Sequence, residues 1–270
     1  MGIPTMTMTM TMTMTMTMTM TIRMGTNTGL KDTITMVGIA TPMAKDGSGV
    51  QGVAFLRLLS WVSPAFPTGG YAYSHGLEWA VEQGYVHNVA SLTAWVETLL
   101  QHGSLGNDLI LLNAAWLAGD DTTRLAEIAE FTCACASSRE RYEETVYQGE
   151  AFLKAAHVWQ AMPSKDEFDG TRWPLPVAQG MVFYKGGVAQ SQALLAGGYA
   201  AIAALVSAAV RLVPLGQTDG LRALEGLELA LIAAAEKAQK QTLDDIGSAC
   251  FMSDLAAMHH ETQETRLFRT

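Results

Sequence analysis

Beyond residue 52 the hydrophobic positions recur every three or four residues, the spacing of one helix face. Phe55, Leu58, Leu59 and Val62 predict a first helix with a shared buried face. The run SPAFPTGG at 63–70 ends it, because two prolines and two glycines in eight positions cannot continue a helix. A short helix at about 73–83 stops at Gly84. Leu92, Trp95, Val96 and Leu99 mark the next, with Asn88 placed to cap it, and another spans about 108–117. Asp120 and Asp121 open a helix carrying Leu125, Ile128 and Ala129, since a helix start favours negative charge. A long helix over about 138–162 ends at Pro163 and gives way to a polar loop at 164–176. Helices resume near 177, continue through 193–212, and return over about 219–240, where Leu221, Leu224, Leu227 and Leu231 form the apolar stripe. A short helix at about 253–262 and a polar tail close the chain. No convincing strand interrupts this texture. The pattern predicts an all-α fold, a single helical-bundle-like domain of about ten helices over residues 51–270.

Residues 1–50 differ. From Thr5 to Thr21 threonine and methionine strictly alternate, which taken literally is a strand period. One dipeptide repeated is low complexity, and the Gly-, Thr- and Ser-rich stretch after it extends that character. Thioethers suit Cu(I), so a metal-binding tail is the functional alternative. The expectation is a disordered leader with no part in the fold.

Composition narrows the function classes. The chain has 270 residues, 49% hydrophobic and only 16% charged, enough to bury a large core and to leave apolar surface for a subunit interface. A net charge of −9 repels phosphate backbones and anionic lipid, which argues against nucleic acid and membrane surfaces as partners. Three cysteines, Cys133, Cys135 and Cys250, make no disulfide framework and fit a reducing cytoplasm. Residues 193–210 are apolar for nearly the length that spans a bilayer, but Ala and Gly dominate there, so a buried core helix is expected.

The usual signatures of catalysis fail. No Gly-Lys-Ser/Thr is present, so the chain is not itself a P-loop NTPase. His260-Glu261 begins like a zincin helix, but Glu264 stands where the second histidine must be. Cys133 and Cys135 point about 200° apart on a helix and are expected as small buried hydrophobes. Cys250, His259 and His260 are weak candidates for a nickel or zinc site. Glu140 and Glu144 lie one turn apart with Arg139 and Arg141 beside them. They are expected as a solvated or interfacial ion-pair face, with an acid/base role for Arg139, Glu140 and Glu144 as the alternative. Arg211, before a proline break, is expected to stabilise a helix C-terminus.

Three segments, the Pro/Gly loop, 211–217 and the C-terminal tail, are too specific for ordinary helix packing. The run SPAFPTGGYAYSHGLE at 63–78 resembles the opening motif of the UreF family of urease accessory proteins. Arg139-Glu140 followed by Gly149 is similar to its middle helix, and RLVPLGQ at 211–217 with Asp219-Gly220 to its Arg-Leu-x-Pro-Leu-Gly-Gln-x-Asp-Gly segment. MHHETQ at 258–263 with RLFR at 266–269 resembles its C-terminal motif. Thr68, where relatives usually carry a branched aliphatic residue, and His259, where they often carry Arg or Gln, depart from the pattern. The resemblance implies an all-α homodimer without a catalytic centre or cofactor. It implies a chaperone in nickel insertion into apo-urease, which binds UreD (also called UreH), recruits the GTPase UreG and influences its GTPase cycle. It also implies partner-binding roles for Tyr71, Arg266, Phe268 and Arg269; a direct nickel-binding metallochaperone is the alternative.

Overall fold

A computed structural model describes residues 48–159 and 170–270 of the chain. The Met-Thr leader, the end of the 138–162 segment and much of the polar loop lie outside the described residues. All regular structure among the described residues is helical: eleven α-helices joined by turns and short 3-10 segments. They are α1 (Ser48–Trp61), α2 (Leu77–Glu82), α3 (Val89–His102), α4 (Ser104–Ala118), α5 (Thr122–Ala134) and α6 (Arg139–Ala156). After the polar loop come α7 (Leu175–Lys185), α8 (Gln190–Leu212), α9 (Gln217–Gly226), α10 (Glu228–Ala238) and α11 (Phe251–His260).

Local chemistry starts several helices where the sequence places them. Asn88 accepts from the Ser91 amide at 2.8 Å, and the Ser91 hydroxyl accepts in return from the Asn88 amide, a reciprocal cap for α3. Asp121 caps α5 and Ser138 caps α6 in the same way.

The centre is α7, whose residues from Pro176 to Phe183 are all buried, as expected of a helix apolar on every side. It packs on α4 and α6. Gly180 allows the α4 contact, since a Cβ there would lie 2.8 Å from that of Ala115 and run into the Leu112 carbonyl. Gly149 does the same on α6: a Cβ would strike the Trp173 carbonyl and sit 2.7 Å from the Leu175 nitrogen. Buried Asn113 on α4 donates to the Ala238 carbonyl at 3.0 Å and accepts from Gln190 at 2.7 Å, so its burial is compensated. The 193–210 stretch lies within α8, the one described helix long and apolar enough to cross a membrane; half of its apolar window is buried in the protein. It packs on α4, α9 and α10.

Several expectations are corrected. On α1 the buried face is Ala54, Leu58 and Trp61, while Phe55 and Leu59 are 52% and 50% exposed. Two apolar stripes run along this helix, and Trp61 decides between them, its ring stacking 6.0 Å from Phe183 and edge-on to Trp159. The 177–212 segment breaks at Gly186 and Gly187, the latter in the left-handed region at φ 76°. The 219–240 segment breaks after Gly226; Leu227 and Leu231 are buried there, whereas Leu221 is turned out. Cys135 is exposed rather than buried because α5 ends at Ala134, and Cys133 is half-buried.

Two glycines of opposite surroundings test this packing. Gly149→Ala must push α6 off α7 and is expected to destabilise the fold by at least about 3 kcal/mol. Gly52→Ala, in open space on α1, should stabilise it by roughly 0.5–1 kcal/mol through helix propensity. Urea denaturation of both variants measures the difference.

Candidate functional site

Three carboxylates are buried where α2, α6 and α11 converge: Glu78 on α2, with Glu140 and Glu144 on α6. Gly76, at φ 74°, permits the close approach of α2 and α11, since a Cβ there would lie 2.7 Å from the Ala257 nitrogen. His75 beside it is the one described non-glycine residue with positive φ, at 60°. Its Nε2 lies 2.7 Å from the Ser104 hydroxyl and its Nδ1 3.5 Å from Glu144.

A buried carboxylate needs compensating charge and donors. Here the last turn of α11 and the C-terminal tail supply most of them. His260, fully buried, bridges the two helices, its Nδ1 2.7 Å from Glu140 and its Nε2 3.1 Å from Glu78. Arg266 donates to the second Glu140 oxygen at 2.9 Å. Glu78 also accepts from the backbone amides of Leu267 at 2.7 Å and Phe268 at 2.9 Å. Glu144 pairs with Arg141 at 2.6 Å and accepts from the Thr270 hydroxyl at 2.8 Å. The tail then joins the Pro/Gly loop: the Arg269 amide donates to the Ala72 carbonyl, and the Ser74 amide to that of Thr270, each at 2.8 Å.

The electrostatics divide the carboxylates. Burial pushes the Glu144 carboxyl up, but Arg141 and His75 outweigh it and hold the group below the ordinary carboxylate range. At Glu140 burial prevails over His260 and Arg266, and the carboxyl is raised. Burial and then Arg141 lower His75 against the pull of Glu144. Asp108 on α4 is pushed up to about 6 by burial, against the opposing pull of Arg141. Asp108, Arg141 and Thr145 separate two clefts of about 80 Å³ each, the first also lined by His75 and Glu144, the second by Cys135 and Asp254.

These positions settle several sequence expectations. Glu140 and Glu144 are not a solvated ion-pair face; they are buried because their partners, His260 and the tail, lie about 120 residues away in sequence. As an acid/base set with Arg139 they do not converge: Arg139 points outward to Glu143, and both Glu140 oxygens are already engaged. Cys250, His259 and His260 do not converge either. Cys250 precedes α11 and lies against the Thr98 carbonyl, roughly 15 Å of helix rise from the two histidines. His259 stacks on Trp79 at 4.8 Å, and both His260 nitrogens are occupied. Among the described residues no group of three or more His, Cys, Asp or Glu could hold a metal ion.

Tyr71 is 78% exposed, Arg269 is exposed and Arg266 is partly exposed beyond its ion pair. Phe268 differs: its ring is buried under the Arg211 guanidinium, 4.3 Å away. Phe268 and Thr270 are buried while Leu267 and Arg269 are exposed, on a tail whose backbone bends at 267–268. Leu267, 76% exposed, is thus the apolar residue the tail presents, and it was missed because only the folded tail distinguishes the two positions. Arg211 lies in the last turn of α8 as expected, but its guanidinium reaches across to donate to the Tyr71 carbonyl at 2.7 Å.

The UreF family model matches residues 86–228, more than half of the chain. Whole-length relatives agree. The urease accessory protein UreF of Agrobacterium fabrum is 47% identical over 83% of this chain and 98% of its own length. That of Rhizobium leguminosarum bv. viciae is 45% identical over 80% and 96%, and that of Bradyrhizobium diazoefficiens 45% over 84% and 96%. The chain belongs to the UreF family. UreF is a family of urease accessory proteins rather than of catalysts, and membership supports a role in urease maturation. The saturated carboxylates accord with such a role, since they are spent on holding the tail of this UreF chain.

The charge network predicts opposite pH responses. Folded Glu144 binds its proton less readily than the unfolded chain does. Its contribution is therefore complete above the unfolded value near ~4.3 and is lost as pH falls through the depressed folded value. Asp108, at about 6 against 3.8 unfolded, costs stability above pH ~6, and that cost fades as pH falls towards ~4. Asp108→Asn is expected to stabilise the protein at pH ~7.5 by roughly 1–3 kcal/mol and to change little at pH ~4. Glu144→Gln should destabilise it by roughly 2–4 kcal/mol at pH ~7.5 and by less at pH ~3. Urea midpoints at those pH values check both signs.

Proposed function

We propose that this chain is a homodimeric scaffold of urease maturation in the cytoplasm, which binds UreD (UreH) and recruits the GTPase UreG for nickel insertion into apo-urease. The observation that carries the reading is the patch formed by Tyr71, Leu267, Arg269 and the outer part of Arg266. An aromatic, an aliphatic and two guanidinium side chains stand exposed on backbone fixed by buried ion pairs. Tyr and Arg are favoured interface anchors, and a pre-ordered tail does not pay the ordering cost on binding. This patch is assigned to UreG, whose GTPase cycle it would influence. Phe268, being buried, supports the patch from beneath rather than touching the partner.

Two further surfaces suit a protein with several partners. On α1, Val50, Val53, Phe55, Leu56 and Leu59 are exposed, an apolar face suited to self-association. On α11, Phe251, Met252, Leu255 and Met258 are exposed and leave room for a second accessory protein such as UreD. The direct metallochaperone reading draws no support from Cys250, His259 and His260, which stand apart.

Size-exclusion chromatography with light scattering, on the full chain alone and with UreD and UreG, tests the reading. The chain is expected to run as a dimer and to join both partners in one complex. Tyr71→Ala and Arg269→Ala should each weaken UreG recruitment by about tenfold to a hundredfold, the range of interface anchors, without loss of helicity. Leu56→Glu should yield a monomer. UreG recruitment at full affinity by both patch variants would remove the patch assignment, and a wild-type monomer would remove the dimer.

A further inference from the structure

We infer that Arg211 is a positioning residue that clasps the Tyr71 loop to the C-terminal tail, so that Tyr71, Leu267 and Arg269 act as one recognition surface. Tyr71 and the tail are almost 200 residues apart and have no covalent reason to keep a fixed separation. Their backbones are joined by the Arg269 amide on the Ala72 carbonyl and the Ser74 amide on the Thr270 carbonyl. Arg211 crosses this seam from a third element, the last turn of α8. Its Nη1 donates to the Tyr71 carbonyl at 2.7 Å, its Nε donates to Ser207 of its own helix at 3.2 Å, and its face lies 4.3 Å from the centre of the Phe268 ring. One planar cation thus holds the loop by its edge and the tail by its face, while its stem is fixed to a rigid helix. Partial burial lowers its pKa only from an already very basic value, so the charge persists at neutral pH.

The residue type follows from the two contacts. Lysine supplies a donor and a charge but no plane to cover the ring. Methionine covers the ring but donates nothing to the carbonyl. Glu78 holds the tail independently, through the Leu267 and Phe268 amides, so removing Arg211 is expected to loosen the seam without releasing the tail. The consequence for recognition rests on the proposed function; the clasp itself does not.

The test separates the two. Amide hydrogen exchange is followed on the full chain as wild type, Arg211→Met and Arg211→Lys. The inference expects at least tenfold faster exchange at Ser74 and Arg269 in Arg211→Met and an intermediate change in Arg211→Lys. Leu267, Phe268 and the α7 amides should keep their wild-type rates. Unchanged rates at Ser74 and Arg269, or a uniform rise across all helices, would overturn the clasp. A double-mutant cycle then measures UreG recruitment for Tyr71→Ala and Arg269→Ala. The two are expected to be coupled in the wild-type background and additive within twofold in Arg211→Met. Coupling that survives in Arg211→Met would overturn the inference even if exchange changes. If Tyr71→Ala and Arg269→Ala leave recruitment intact while exchange changes as expected, the clasp stands and the patch assignment fails.

Discussion

The structure depends on the position of His260 between two buried carboxylates. Glu78 and Glu140 belong to different helices, and neither could remain buried facing the other without a group between them that answers both. His260 does so with its two nitrogens, at 3.1 Å and 2.7 Å, and thereby ties α2, α6 and α11 together. Arg266 and the amides of Leu267 and Phe268 supply further donors to the same two carboxylates. Removing one member leaves a buried charge uncompensated, which costs several kcal/mol, roughly 3–5. For that reason a segment that would fray on length and polarity alone is an ordered part of the fold.

The helical frame brings those carboxylates to one place. Glu140 and Glu144 share a face of α6 one turn apart, and α6 is pressed onto α7 at Gly149, where no side chain fits. The same helix therefore packs on the central helix through Gly149 and receives the tail through its N-terminal turns. Gly76 serves the α2–α11 contact in the same way, and the left-handed turn at His75 and Gly76 aims Glu78 inward. Backbone requirements at a few positions thus fix the geometry of a charge network that no single helix contains.

What the sequence makes legible is what is local. The all-helical class, the cap at Asn88, the acidic start of α5 and the core role of α8 follow from spacing and from residues three or four apart. Which of two apolar stripes is buried does not follow, as on α1, because that choice is made by what Trp61 meets from α7 and the 157–159 turn. The burial of Glu140 and Glu144 was equally hidden. A Glu-rich helix start with neighbouring arginines has the same local pattern whether or not a histidine 120 residues later comes to lie against it. In the candidate site, Tyr71, Arg266 and Arg269 were legible only through the motifs that surround them. The inward Phe268 and outward Leu267 required the direction of the folded tail.

The same geometry commits several residues typical of catalytic sites to one another. An acid or base needs an oxygen or nitrogen free to exchange a proton with a substrate, and room for that substrate. Both oxygens of Glu78 and of Glu140 are occupied by protein groups, and both nitrogens of His260 face carboxylate oxygens. What such a network offers instead is rigidity at a surface. Charges that are paired inside fix the backbone of the tail, and a fixed backbone presents Leu267 and Arg269 outward beside Tyr71 with little backbone entropy left to lose. Buried and exposed side chains alternate over residues 267–270 of the tail. A substitution at an inward position therefore acts on the outward side chains through the backbone, whereas one at an outward position leaves the buried network in place.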